Sequence, residues 1–133
     1  MYFIEDVKLS HAAVMDMLAA GIAQAEKDGQ PQCIVVVDAS GEVLGQVRMT
    51  GAKFLSMKSA LTKARTAASI GAPSDTIPEN FGLAIAAATQ GAVTRIGGGL
   101  PIRHNNRVIG GIGVGSGSQD QDKGVAQAAI DVL

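Results

Sequence analysis

A chain of 133 residues with a formal net charge of −1, a single cysteine, no tryptophan, one tyrosine and three phenylalanines is long enough to bury roughly two thirds of the surface its unfolded form exposes, so one domain that needs no metal or disulfide staple is expected. Cys33 alone cannot form an internal disulfide or a CxxC metal or redox motif. The balanced charge and scarce aromatics argue against nucleic acid as a partner. With no basic-then-apolar leader and no apolar run of membrane-spanning length, a soluble cytoplasmic protein is expected, with no membrane partner.

After a short apolar opening, Val14, Met17, Leu18, Gly21, Ile22 and Ala25 recur at helical spacing. They predict a helix over 10–28 with Ser10 as its N-cap and Asp28-Gly29 as its end. Cys33 to Asp38 reads CIVVVD, a β-branched run suited to a central strand, and Ala39-Ser40-Gly41 turns it into a return strand from Val43 to Arg48. A second helix is predicted over 53–70 with Phe54, Met57, Leu61, Ala64 and Ala68 as its buried stripe. Gly71 and Pro73 stop it, Pro78 marks another break, and the Ala-rich segment 81–90 reads as a short helix.

From Gly97 to Gly117 the spacing predicts two strands joined at Asn105-Asn106, residues that tolerate the positive φ of a tight hairpin. Gly110, Gly111, Gly113 and Gly115 are dense for a strand. Two readings explain them, a ligand approaching the backbone or a helix packing tightly over a bare sheet face; the glycine-rich phosphate-loop patterns are missing. Ser118 and Gln121 have capping-box spacing, and Val125, Ala126, Ala129, Ile130 and Leu133 form the inner stripe of a last helix. This order implies an α+β fold, an antiparallel sheet covered by helices.

Two features carry chemistry. His11 falls one turn before Val14 on the first stripe, so it is expected to face inward or toward a partner. The positive end of the helix dipole there favours a neutral imidazole able to ligate a metal, and the alternative is a hydrogen-bonded histidine at a packed helix start. His104 is the other histidine, placed beside the hairpin turn, where a solvated tip is expected. From Arg48 through Lys53, Lys58, Lys63 and Arg65 five cations follow one another with no acid before Asp75; they read as an anion site or as a solvated face.

Lys63-Ala64-Arg65-Thr66-Ala67, Gly98-Gly99-Leu100-Pro101-Ile102, Val108-Ile109-Gly110-Gly111-Ile112-Gly113-Val114 and Asp122 ahead of Ala126 resemble the GlcG/HbpS family, which includes the C-terminal domain of PduO-type proteins. The resemblance extends upstream through Leu9-Ser10, Val36-Val37-Asp38, Gly41 and Met49-Thr50-Gly51-Ala52. One departure is visible: the family's usual G-V-S-G is Gly113-Val114-Gly115-Ser116-Gly117 here, with the hydroxyl displaced by one position. The resemblance implies a profilin-like α/β/α domain with a sheet of about five strands, a tendency to homo-oligomers, and relatives that bind haem or are encoded beside catabolic operons. It further implies His11 as an axial haem ligand, Thr66 as an oxygen contact, Arg48, Lys53 and Arg65 as partners of the propionates, and Gly98-Gly99 as a point of backbone approach to the cofactor. A non-catalytic module binding haem or a similar flat anionic cofactor is the favoured reading. The alternative is an enzyme or accessory acting on a small carboxylate, for which no catalytic triad order, HExxH or carboxylate pair speaks.

Overall fold

In the computed structural model, which describes residues 1–133, the Ser10 hydroxyl accepts the Ala13 N–H at 3.1 Å and opens helix α1 (His11–Asp28). Gly29, at φ 69°, ends it by donating its N–H to the Ala25 and Glu26 carbonyls. Strands β1 (Cys33–Asp38) and β2 (Val43–Arg48) form the first hairpin, whose turn is tied by the Asp38 carboxylate accepting the Ser40 and Glu42 N–H groups at 2.8 and 3.0 Å. Helix α2 (Ser56–Ile70) begins three residues later than expected because 53–55 form a turn. A single 3-10 turn (Ser74–Thr76) leads to α3 (Glu79–Ala88). Strands β3 (Gly99–His104) and β4 (Arg107–Gly115) meet through Asn105 and Asn106, both at positive φ (48° and 62°), and the Ser118–Gln121 capping box opens α4 (Gln119–Ile130).

The sheet runs β2-β1-β4-β3 with every neighbouring pair antiparallel. It has four strands where about five were expected: residues 1–9 form no strand, and β2 and β3 are the edges. Helices α1 and α4 cover one face and α2 the other, which is the α/β/α layering expected. Helix α3 stands off from these layers: only Gly82 of it is buried, while Leu83 is 89% exposed.

The two faces are built differently. Toward α1 and α4, Ile34, Val36, Ile102, Ile112 and Val114 interdigitate with Met17, Leu18 and Val125. Toward α2 the sheet offers Cys33, Val35 and Val37 from β1 and, from β4, only Gly111, Gly113 and Gly115. A Cβ on Gly113 would overlap the Ala60 carbonyl oxygen, and one on Gly111 the Ala64 carbonyl oxygen. The glycines are therefore there for a helix, the second of the two readings. The same contact sets the inward face of α2: Ala64 and Ala68 of the expected stripe are buried, joined by Ala60, whereas Met57 and Leu61 are half-buried at the margin and Phe54, ahead of the helix, is exposed.

Candidate functional site

His11 sits in the first turn of α1, and its side chain is exposed. It does not face inward. Val14 is the first residue of α1 to press on β2, against Gly45, so His11 overhangs the sheet by one turn. It heads an outward ridge of the helix, His11–Met15–Ala19–Ala23, every member of which is exposed, with Met15 64% accessible. These four residues carry no charge and no bulky branched side chain; the row meets its first charge at Lys27, and the exposed Asp16 flanks it beside Met15. Beside the start of α1 a cavity of about 290 Å³ is walled by Val7, Leu9, Leu44 and Ile109. His104 ends β3 at the exposed hairpin tip, as expected.

The five cations do not gather. Lys63 is buried, with its Nζ 2.9 Å from Asp122 Oδ2 and 2.8 Å from the Val114 carbonyl oxygen. Arg65 donates Nε–H to the Gly41 carbonyl at 2.8 Å, at the end of the molecule where His11 lies but on the opposite side of the sheet. Arg48 and Lys53 occupy the other end, at the close of β2 and before α2, both exposed. Lys58 is exposed on the first turns of α2. The spacing along the chain hid this because Lys53 precedes the turn into α2, whereas Arg65 lies nine residues, roughly 14 Å, along the helix from Ser56.

Thr66 is fully buried, its Oγ1 accepting the Thr94 N–H at 3.1 Å, which fastens the 89–98 connection to α2. Gly98 and Gly99 are buried against the Lys63–Asp122 pair and the Lys63 backbone. Gly98 holds φ 121°, and a Cβ there would come within 3.1 Å of Lys63 Nζ. The displaced Ser116 hydroxyl accepts the Lys53 N–H at 2.9 Å and so seats the turn that precedes α2. Asp122 also accepts the Gly117 N–H through Oδ1 at 3.1 Å. The buried ion pair was missed at the level of sequence. Its signal was a lysine at the helical spacing of Ala60 and Ala67, on the face of α2 that carries the alanines.

Two ionisable groups are displaced from their ordinary range. Burial pushes the Cys33 thiol up, and the opposing pull of Arg48 is the smaller effect. The Asp75 carboxylate, hydrogen-bonded to Lys123, raises the Lys123 ammonium. Neither lies on the His11 ridge.

A family model described as haem degrading protein HbpS-like matches residues 9–131. The chain belongs to the HbpS-like family. An uncharacterised 15.0 kDa protein in the dhaT-dhaS intergenic region of Citrobacter freundii is 33% identical over 127 residues, covering 90% of this chain and 88% of that protein. The crystal structure of Klebsiella pneumoniae protein ORFY superposes with a TM-score of 0.92 at 31% identity over 98% of this chain and 94% of that one. That of a PduOC–haem complex gives 0.90 at 28% identity, over 96% of each chain. In this HbpS-like chain the motifs that carry the resemblance, Lys63 to Ala67, Gly98-Gly99, the β4 glycines and Asp122, converge on the seat of α2 and hold the fold. No helix is long and apolar enough to cross a membrane.

Proposed function

We propose that this HbpS-like protein binds haem between copies of itself, with the His11 imidazole as the iron ligand. The observation that carries the reading is the exposed, uncharged ridge of α1 headed by His11. An accessible imidazole is the donor that haem iron takes from proteins, and Met15, Ala19 and Ala23 give the flat apolar flank a porphyrin needs. The solved PduOC–haem complex, at 28% identity, supports the same ligand. When bound, the haem supplies an iron centre whose reactivity its surroundings tune.

One chain offers such a ligand a single side. The 290 Å³ cavity beside α1 is too small to enclose a porphyrin. The opposite face must therefore come from a second copy, which makes the homo-oligomer part of the site. Arg48 closes β2, five residue steps or roughly 17 Å from its start at Val43, and Lys53 follows beyond it. They reach propionates only from a second copy laid in the opposite direction. Thr66, buried and bonded to Thr94, takes no part.

Haemin titration followed by the Soret band, with sedimentation of the same samples, tests this. His11→Ala is expected to abolish the parent spectrum and weaken binding by at least about tenfold, with stability within about 0.5 kcal/mol of the parent because the side chain is exposed and Ser10 holds the cap. His104→Ala should change neither quantity. A His11→Ala protein that keeps the parent spectrum, or haem carried by a monomer, overturns the reading.

A further inference from the structure

Across the sheet from His11, Arg65 stands in a separate cavity of about 430 Å³ between the β1–β2 turn and the second half of α2. It is the only charged residue in the lining. Its stem lies over Gly41, where a Cβ would come within 3.3 Å of the arginine Cγ, and its Nε–H is held by the Gly41 carbonyl at 2.8 Å. That bond sets the guanidinium plane and spends one of its five donors. The other four N–H groups have no partner in the chain, and none of the three ion pairs, Lys63–Asp122, Arg107–Asp6 and Lys123–Asp75, involves Arg65. Asp38, the acid of the adjoining turn, is occupied by the Ser40 and Glu42 N–H groups. Ser40 and Ser69 bring two hydroxyls to the same cavity, and Ala92 and Val93 wall it.

The geometry points to a binding pocket for a small carboxylate, independent of the haem reading. Two parallel N–H···O bonds from the terminal guanidinium nitrogens take the carboxylate edge-on. The Ser40 and Ser69 hydroxyls donate to its remaining lone pairs or to a second polar group, and Ala92 and Val93 cover a short apolar body. The tether to Gly41 removes much of the rotamer freedom that an exposed arginine would otherwise lose on binding.

Isothermal titration of the full chain without haem, at low ionic strength, with acetate, lactate and succinate as probes, tests the assignment. At least one of the three is expected to saturate one site per chain, to weaken about tenfold or more in Arg65→Gln, and to bind Lys53→Gln as it binds the parent. Haemin titration of Arg65→Gln, whose circular dichroism serves as the folding control, should follow the parent curve. Absence of saturable heat with all three probes, or saturable heat that Arg65→Gln leaves unchanged, overturns the proposal. So does a fall in haemin affinity in Arg65→Gln, because the carboxylate met by Arg65 would then be a haem propionate. A failure of His11 to bind iron leaves these titrations unaffected, so the two readings stand or fall apart.

Discussion

On the α1/α4 face the sheet meets its helices through branched side chains, Ile34, Val36, Ile112 and Val114 against Met17, Leu18 and Val125. On the α2 face it meets a helix through almost bare backbone, Gly111, Gly113 and Gly115 under Ala60, Ala64 and Ser56. The first kind of contact can relax when an atom is removed or added, because side chains change rotamer. The second has nothing to move except a helix. Close packing is thus enforced by two mechanisms in one small sheet, and the α2 side is the less forgiving.

Three substitutions probe this difference, from the largest effect downward. Lys63 is the one long polar side chain that crosses from α2 through the bare face, and Lys63→Met strands the buried Asp122 carboxylate; a loss of about 3–5 kcal/mol is expected in urea unfolding. Replacing both partners, Lys63→Met with Asp122→Leu, should recover much of it, and a double variant as unstable as the single one would show that the pair does more than neutralise itself. Next, Gly113→Ala is expected to cost about 3 kcal/mol by lifting α2 from β4, whereas Ile112→Val, its neighbour on the other face, should cost about 1 kcal/mol. Equal losses at 112 and 113 would erase the distinction between the faces.

The smallest effect is electrostatic. Cys33, on the α2 face, has its thiol pKa raised by burial, so the folded chain keeps the proton after the unfolded chain has begun to lose it. The contribution to stability is complete below the thiol's ordinary pKa of 9.0 and is lost as pH rises through the folded value. The urea midpoint should therefore fall between pH 8 and pH 10 by more in the parent than in Cys33→Ala. A thiol that reacts with a disulfide reagent before unfolding would contradict its burial.

Local chemistry made much of this fold legible. Ser10, Ser118 with Gln121, and Asn105-Asn106 each mark a boundary by a hydrogen bond or a φ value that few other residues supply, and the structure realises all three. The CIVVVD run could hardly be anything but the strand buried on both faces. Periodicity placed the inward face of α2 only in part. Ala64 and Ala68 are buried as expected, but hydrophobicity ranks Met57 and Leu61 above Ala60, and opposite a glycine strand it is the alanine that fits so short a separation. Of the two placements expected for His11, the inward one is excluded for a related reason: its spacing is that of the buried stripe, yet the first contact of α1 with β2 comes one turn later, at Val14. The cationic run misled because chain neighbours on a helix are spread over its length and sides, so Lys63 goes inward while Arg65 and Lys53 leave at opposite ends.

The strand order has a kinetic consequence. The central ladder joins β1 to β4, pairing Cys33 with Gly115 and Asp38 with Gly110, although 68 intervening residues (39–106) separate the two strands. Before that loop closes, β1 has only β2 as a partner, and α2, emerging from the ribosome earlier than β4, has no glycine-lined seat to occupy. Loop closure of this length is slow compared with hairpin or helix formation. A nascent chain therefore passes through a stage in which CIVVVD is bare on the edge that β4 later pairs, the interval in which chaperone capture or mispairing with another chain competes with folding.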